Sequence, residues 1–317
     1  MANTTFNTSV LYNSMSPFNV ALVVLYSLIV VTGLIGNSLV ITIVCKTRVM
    51  FTTTNILLAN VATADLISLL WCPIPLAVNL SDKHASGEAA DYICKFFTGY
   101  AVTCLTVVVT YLSLVVLAID RYYAIVKPFK QALVPTTRCA YCVVGGIWIA
   151  AGFCSLPGFL FSEYDAKLER CLDPWSLEKV GLMKWVSVST VVVSLCLSVC
   201  LFLCYFEILK GIYINNTICS VETVVSLKQA SMEKRKLAII SLTVTVAYHL
   251  CYLPFIFFEI YIAFQPYHSI LENYDVLYKV YRIVGFTMYV HSCLNPFIYG
   301  FQSSRYRENL KRILKRS

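Results

Sequence analysis

The sequence predicts an all-α membrane protein, a seven-transmembrane helix bundle followed by a short amphipathic eighth helix. Its 317 residues are 58% hydrophobic and only 13% charged, whereas soluble chains contain about 25% charged residues. Apolar runs of membrane-spanning length, about 18 residues or more, recur along the whole chain. They cover residues 18–45, 49–80, 96–119, 139–162, 185–206, 237–258 and 283–304. The second run is interrupted by Asp65, and the other six contain no charged residue.

These runs divide the chain into three parts. We predict an extracellular, glycosylated amino terminus over residues 1–18, the helix bundle over 19–300, and a cytosolic amphipathic helix with a tail over 301–317. In the last part, Tyr306 and Leu310 share a helical face that would contact lipid, while basic residues opposite them would contact head groups. A frayed basic tail is the alternative.

The basic residues predict how the chain lies in the plasma membrane. With the amino terminus outside, 17 of the 25 Lys and Arg residues fall on the inner side, as the positive-inside rule requires. The glycosylation sequons at Asn3, Asn7 and Asn79 then all fall outside. The net charge of +8 is therefore mainly cytosolic. It suits contact with anionic membrane lipids and does not indicate a nucleic-acid partner.

Asp65 places a carboxylate inside the second span. A carboxylate at that depth has to be protonated, paired or bound to a cation. Thr110, Ser292 and Asn295 are its candidate partners, provided that the second, third and seventh helices are neighbours. One hypothesis is a sodium or proton site, with an allosteric sodium ion as the only candidate cofactor. The other is a protonated Asp65 with a structural role.

Two cysteines stand apart from the rest. Most of the 14 cysteines fall in predicted helices, where small apolar packing accounts for them. Only Cys94 and Cys171 lie in predicted outer segments, which face an oxidising compartment. We therefore predict a disulfide between them, which ties the outer end of the third span to the second outer loop.

Asp120-Arg121-Tyr122 closes the third apolar run at its cytosolic edge. Asp120 can hold the Arg121 guanidinium in a charge-assisted hydrogen bond. Release of that guanidinium would free it for another partner, so the motif is a candidate switch.

Prolines occur inside the sixth and seventh spans. Pro254 follows Tyr252 in the sixth, and Pro296 follows Asn295 in the seventh, with Tyr299 one turn further on. A proline within a helix removes a backbone hydrogen bond and bends the helix. A bend at mid-membrane turns a small displacement on one side into a larger swing on the other. A static kink is the alternative.

These residues, in this order, resemble the motifs of rhodopsin-family (class A) G-protein-coupled receptors over residues 19–315. The residues that carry the resemblance are Gly36-Asn37, Leu58-Ala59-Asn60, Ala64-Asp65, Cys94, Asp120-Arg121-Tyr122, Trp148, Tyr205, Cys251, Pro254 and Asn295-Pro296-Phe297-Ile298-Tyr299. The resemblance implies an agonist pocket in the outer half of the bundle. It also implies that movement of the sixth helix activates a heterotrimeric G protein at the inner face, where arrestin is a further candidate partner. On activation Arg121 would engage the G protein, and Tyr205 and Tyr299 would move towards it.

Some positions depart from the family pattern. Tyr252 stands where the family usually has a tryptophan, and Leu197 lies near the place of the usual proline of the fifth helix. His291 replaces a common asparagine of the sodium pocket. Lys234 lies near the place of the acid that locks Arg121 in some members, so we predict no such lock here.

The ligand class follows from what the helices contain. Residues 100–107 contain no acidic residue, whereas amine receptors have an aspartate in this part of the third helix. Residues 283–304 contain no lysine that could bind retinal. Thr53-Thr54-Asn55, two prolines near the outer end of the second span and the segment around Cys94 loosely resemble neuropeptide receptors of the galanin and neuropeptide Y kind. We therefore predict a neuropeptide-like agonist. A receptor for a lipid or small metabolite is the alternative.

Position alone suggests the pocket. The candidate ligand contacts are Tyr100, Thr103, Cys104, Phe258, Glu259, Tyr281, Arg282 and Tyr289. Glu259 and Arg282 either pair with each other or contact ligand termini.

Other classes of function lack their signatures. The four histidines are scattered without metal-ligand spacing, and no nucleophile elbow, Walker loop or dinucleotide fingerprint is present. Inverted repeats, which are typical of transporters, are absent from the sequence as well. The chain is not predicted to be an enzyme.

Overall fold

The computed structural model describes residues 16–47, 50–80, 87–98, 101–127, 137–162, 164–165, 170–171, 180–214 and 225–315. Helices dominate this part of the chain. They are α1 (Pro17–Lys46), α2 (Thr53–Trp71), α3 (Pro73–Leu80), α4 (Glu88–Ile93), α5 (Ala101–Ile125), α6 (Thr137–Phe161), α7 (Val180–Tyr213), α8 (Val225–Phe264), α9 (Tyr267–Glu272), α10 (Tyr274–Gln302) and α11 (Ser304–Leu314). A π-helical turn, Cys94–Thr98, follows α4. Two short strands, β1 (Tyr164–Asp165) and β2 (Arg170–Cys171), pair antiparallel.

Six helical stretches are long and apolar enough to cross a membrane. They are Pro17–Lys46, Thr53–Val78, Glu88–Ile125, Arg138–Leu160, Val188–Tyr213 and Met232–Phe264. The seventh predicted span lies in α10, whose 29 residues measure about 43 Å at 1.5 Å per residue. Charged residues in its first turns, Asp275, Lys279 and Arg282, make it more polar than the others. It packs along α8 and α1 and completes the bundle.

Two helices extend well beyond the apolar runs that predict them. α7 covers Val180–Tyr213 and α8 covers Val225–Phe264, whereas the runs cover 185–206 and 237–258. The added residues of α8 include Leu, Lys, Gln, Ala, Met, Glu and Arg, which favour helix in water as well as in lipid. Helix propensity therefore carries α8 past the membrane into the predicted inner loop.

A polar ladder joins three helices inside the bundle. Trp148 Nε1 on α6 donates to Asn60 Oδ1 on α2 over 2.9 Å. Asn60 Nδ2 in turn donates to Ser113 Oγ on α5, also over 2.9 Å. Polar groups at membrane depth need such partners because neither water nor lipid can satisfy them.

α1 and α10 approach each other closely at small residues. Asn37 Nδ2 donates to the Ser292 carbonyl over 2.7 Å and to the Gly33 carbonyl over 2.9 Å. One turn after Ser292 on α10, the Pro296 ring would lie 2.7 Å from a Cβ atom added to Gly36. Glycine at Gly36 thus permits this helix contact.

We expect Gly36→Ala to destabilise the bundle. The new methyl group has to push α1 away from the Pro296 ring, and overpacking of this kind costs roughly 1–3 kcal/mol. Thermal inactivation of the purified protein and its surface expression would measure the loss.

Gly152→Ala is the matched control for this prediction. Gly152 also lies within a membrane helix, α6, but an added Cβ would meet no atom within 4 Å. Equal stability of the two variants would contradict the close-contact interpretation.

α11 is the predicted amphipathic eighth helix, but its apolar face does not point where we expected. Tyr306, predicted to face lipid, is buried, and its ring centroid lies 6.5 Å from that of Tyr299. The helix begins at a cap in which Ser303 Oγ accepts from the Tyr306 backbone N–H over 3.2 Å. α11 packs against α1 and α10, so the face that contains Tyr306 contacts the helix bundle, where we had predicted contact with lipid. Burial raises the pKa of the Tyr306 phenol.

Candidate functional site

The end of the bundle that contains Arg121 and α11, here called the inner face, holds a closed ion pair. Arg121 Nη2 and Nε donate to Asp120 Oδ2 over 2.6 and 3.1 Å. Thr54 Oγ1 on α2 donates to the same oxygen over 3.0 Å and accepts from Arg121 Nη2 over 2.6 Å. All three side chains are buried. The guanidinium is therefore turned towards α2 and its own helix.

Thr54 is a site residue that sequence reasoning missed. It belongs to a run of three threonines at the start of α2, and nothing in the sequence tells which of them faces α5. The structure separates them, since the neighbouring Thr52 side chain caps the helix by accepting from the Asn55 backbone N–H over 3.3 Å.

The other predicted switch residues lie around this pair. Tyr205 on α7 is buried, and its Oη lies 3.0 Å from Thr245 Oγ1 on α8. Thr245 Oγ1 donates to the Ser241 carbonyl, so Tyr205 is the donor. Tyr299 is also buried, and its Oη has no hydrogen-bond partner among the described residues. The Tyr122 ring packs edge-on against that of Tyr123.

Two contacts fasten the inner end of α8 to the last two helices. Glu233 on α8 forms an ion pair with Arg305 on α11. Gln302 Nε2, the last residue of α10, donates to Thr243 Oγ1 over 3.1 Å. We call these two contacts the α8 inner contacts. They join α8 to two helices from which the expected movement of the sixth span would separate it.

Asp65 is the centre of a buried polar cluster. Asn295 Nδ2 donates to Asp65 Oδ2 over 2.7 Å, and His291 Nε2 lies 3.4 Å from Asp65 Oδ1. Ser292 Oγ lies 3.4 Å from the same His291 nitrogen. The structure thus places Asn295 against Asp65, while Ser292 reaches the cluster through the His291 ring. Thr110 is buried on α5, but no hydrogen bond joins it to Asp65 in the described part of the chain.

This donor set does not suit the expected sodium ion. Hard cations prefer oxygen ligands, yet the groups nearest the Asp65 carboxylate are the Asn295 amide nitrogen and the His291 ring. His291 Nδ1 contacts the Met288 carbonyl, which fixes the plane of the ring.

A column of aromatic rings joins this cluster to Tyr252. Tyr248 lies one helical turn from Tyr252, and the two rings stack with centroids 5.5 Å apart. On its other side Tyr248 stacks on Tyr111 at 5.6 Å. The His291 ring meets Tyr248 edge-on at 5.1 Å. Tyr248 was not predicted from the sequence, although its spacing of four residues from Tyr252 places both on one face of α8.

The outer half of the bundle, opposite the inner face, contains the predicted ligand contacts. Thr103 Oγ1 and Tyr289 Oη lie within hydrogen-bond distance, 2.9 Å, and the Tyr26 ring packs on Tyr289 with centroids 5.8 Å apart. Phe258 packs on Tyr281 at 6.0 Å. Cys104 and Glu259 are half-buried on α5 and α8. Tyr100 lies outside the described residues.

Arg282 belongs to the outer end of α10, where it meets α1. Its Nη1 donates to Asn19 Oδ1 over 2.6 Å, while Nη2 has no hydrogen-bond partner among the described residues. The guanidinium carbon lies 5.3 and 5.9 Å from the ring centroids of Phe18 and Tyr278. Asn19 is thus a polar partner that the sequence did not indicate.

The structure describes one of the two cysteines of the predicted disulfide in full. Cys94 is disulfide-bonded. The predicted partner Cys171 lies in β2 opposite Tyr164, and the Tyr164 N–H donates to Asp91 Oδ1, just before Cys94, over 3.0 Å. The side chain of Cys171 lies outside the described part of the structure, so the pairing stays a prediction.

The glycosylation sites also stay predictions. Asn3 and Asn7 lie outside the described residues. Asn79 is near the end of α3, and its side chain lies outside the described part as well.

In the part of the chain that the structure describes, seven membrane-length helices surround a buried polar cluster, with an arginine at one end. This arrangement is typical of a heptahelical membrane receptor. Residues 36–299 match the family described as 7 transmembrane receptor (rhodopsin family), and the chain belongs to this family. This membership confirms the predicted class of multi-pass membrane receptor, and it agrees with the expectation that the chain is not an enzyme.

Two relatives and one solved structure illustrate the similarity. The pyroglutamylated RF-amide peptide receptor of Rattus norvegicus is 28% identical over 89% of this chain and 67% of the relative. The neuropeptide Y receptor type 1 of Xenopus laevis is 26% identical over 93% of this chain and 81% of the relative. A crystal structure of squid rhodopsin aligns with 97% of this chain and 86% of its own, with a TM-score of 0.76 and 19% identity. The last match confirms the predicted seven-helix fold.

Proposed function

We propose that this protein is a plasma-membrane receptor, with its amino terminus outside, that binds an extracellular peptide and activates a heterotrimeric G protein. The observation that carries the proposal is the pair of relatives, which match 89% and 93% of the chain and are named as receptors for an RF-amide peptide and for neuropeptide Y. An amidated neuropeptide is therefore the ligand class that we favour.

The outer half of the bundle supports such a ligand. The rings of Tyr26 and Tyr289 pack on each other there, with the Tyr289 hydroxyl at the Thr103 hydroxyl, and the Tyr281 ring packs on Phe258. Aromatic walls with a few polar groups are typical of ligand pockets, and they suit a peptide that ends in an aromatic side chain and an amide. The unpaired Nη2 of Arg282 would then donate a hydrogen bond to a carbonyl oxygen of the peptide.

The inner face supports a switch that is closed in this structure. Arg121 is held by Asp120 and Thr54, and the α8 inner contacts hold α8 against α10 and α11. We propose that the agonist swings the inner end of α8 outwards about Pro254, which frees Arg121 for the G protein. Arrestin would dock at the same opened face. The basic side chains of α11 would contact lipid head groups.

Glu233→Gln is expected to raise signalling in the absence of agonist. The substitution removes the ion pair with Arg305 but keeps the size of the side chain. Both partners are partly exposed, so the pair is worth at most about 1 kcal/mol, which corresponds to a rise in basal activity of up to about fivefold. A cellular G-protein activation assay without ligand would measure the rise.

Glu308→Gln is the matched control, because Glu308 is an exposed glutamate on α11 that forms no ion pair among the described residues. A variant with Glu233→Arg and Arg305→Glu together should return basal activity towards that of the natural chain. Basal activity unchanged by Glu233→Gln would remove the ion pair from the proposed switch.

The proposed function is tested by a G-protein activation screen in cells with a panel of amidated and basic neuropeptides. We expect a response to at least one peptide, and its loss in the Arg121→Ala variant at equal surface expression. Silence of a well-expressed receptor across the panel would argue against a peptide and for the alternative, a lipid or small-metabolite ligand. Ionic strength distinguishes the two, since binding of a charged peptide weakens with salt.

A further inference from the structure

We infer that the His291 ring takes the place of an allosteric sodium ion against Asp65, so that the receptor does not respond to sodium. The observation behind this inference is the contact of His291 Nε2 with Asp65 Oδ1 at 3.4 Å, where both side chains are buried. It concerns the centre of the bundle and does not depend on which ligand the receptor binds.

The other nitrogen of the ring holds it in this position. His291 Nδ1 faces the Met288 carbonyl, which can only accept, so Nδ1 donates to it. This contact within α10 directs Nε2 towards Asp65 Oδ1. The imidazole therefore occupies the space directly in front of this carboxylate oxygen.

Two oxygen atoms of this cluster that a sodium ion would use already have partners. Asp65 Oδ2 already accepts from Asn295 Nδ2 over 2.7 Å. Ser292 Oγ contacts the His291 ring at 3.4 Å. The amide nitrogen of Asn37 is turned to backbone carbonyls, including that of Ser292. Asp65 Oδ1 accepts no hydrogen bond among the described residues, and the imidazole is the group that stands in front of it.

The position of the ring has a consequence for the switch. A bound ion can leave the site, whereas His291 is part of α10 and also packs edge-on against Tyr248 of α8 at 5.1 Å. The ring that stands in front of Asp65 is thereby in direct contact with the helix expected to move. A change in the stacking of Tyr248 would act on the His291 ring without any exchange of ions.

The test is the thermal stability of the purified full-length receptor in sodium chloride and in N-methylglucamine chloride at equal ionic strength. We expect the same melting temperature in both salts for the natural chain. His291→Asn, which restores the residue common in the family, should melt roughly 2–4 °C higher in sodium, the shift expected when an ion binds only the folded state. Adding Asp65→Asn to this variant should abolish the difference.

His249→Asn is the matched control. His249 is also a histidine of a membrane helix with one nitrogen at a backbone carbonyl, that of Thr245 at 2.8 Å, but its other nitrogen faces Ser198 at 3.1 Å. It should remain insensitive to sodium. A sodium-specific rise in the natural chain would overturn the inference, as would a folded His291→Asn variant that gains no sodium response. If His291→Asn does not fold, His291→Gln and the comparison of salts on the natural chain decide the question.

Discussion

Replacing Arg121 with alanine is expected to abolish G-protein activation while agonist affinity stays close to that of the natural receptor. Arg121 is buried at the inner face, where its guanidinium bonds Asp120 Oδ2 over 2.6 Å. The predicted ligand contacts lie at the opposite end of the bundle. Once released, the guanidinium would donate to the G protein. Because hydrogen bonds to a charged group contribute about 1.5–3 kcal/mol, losing those bonds should lower coupling by at least tenfold to hundredfold. Agonist binding to membranes and G-protein activation would be measured on the same preparation.

The same cluster provides a variant with the opposite effect. Asp120→Asn weakens the hold on the guanidinium, because a charge-assisted hydrogen bond is about twice as strong as a neutral one. Thr54→Ala removes the second partner. Both should raise basal signalling, and neither should do so once Arg121 is alanine. This dependence separates a released arginine from a general loosening of the fold.

Arg138→Ala serves as the control for charge at this face. Arg138 is an exposed arginine near the start of α6, so its removal changes the basic character of the inner face and leaves the switch intact. Full signalling by Arg121→Ala would contradict the coupling role that we assign to this residue.

Polar residues within the apolar runs are the ones whose neighbours can be predicted from sequence. Asp65 and Asn295 meet because a polar group at membrane depth has to find polar partners. Geometry limits such predictions, since Ser292 contacts His291 and Thr110 has no hydrogen bond to Asp65 among the described residues. The direct partner of the second carboxylate oxygen is His291, which the sequence marks only as a departure from the family pattern.

Contacts of apolar and aromatic residues are harder to predict. Tyr306 packs on Tyr299, and Tyr248 stacks between Tyr111 and Tyr252. In a soluble protein, helical periodicity would show which face is buried. In a membrane helix the lipid-facing side is as apolar as the core-facing side, so periodicity does not tell the two apart.

Hydropathy alone does not predict where a helix ends, because helix propensity can extend it beyond the bilayer. The apolar runs predict the part of each helix that lies in the bilayer, and α8 continues past that part to Val225. This extension positions Glu233 beside Arg305. The ion pair of Glu233 with Arg305 therefore depends on helix propensity in the polar segment before residue 237, which lies outside the apolar run.

Replacing Cys94 with alanine is expected to remove most of the receptor from the cell surface. Cys94 is disulfide-bonded at the start of the π-helical turn that follows α4. With Cys171 as the partner, the bond closes a loop that includes the whole of α5 and α6. A disulfide closing a loop of this length contributes roughly 4 kcal/mol in the chain-entropy account, a large share of the 5–15 kcal/mol of stability typical of a folded domain. Surface immunolabelling and thermal inactivation would measure the loss.

The identity of the partner can be decided by comparing single and double variants. If Cys94 and Cys171 are bonded to each other, Cys94→Ala, Cys171→Ala and the double variant should lose the same amount of stability, because each removes the same bond. Cys196→Ala is the matched control, since Cys196 is an exposed, free cysteine of α7. A Cys171→Ala variant with normal expression and stability would assign Cys94 a different partner. The β1–β2 hairpin, which the Tyr164 N–H connects to Asp91, would then be held to α4 by hydrogen bonding alone.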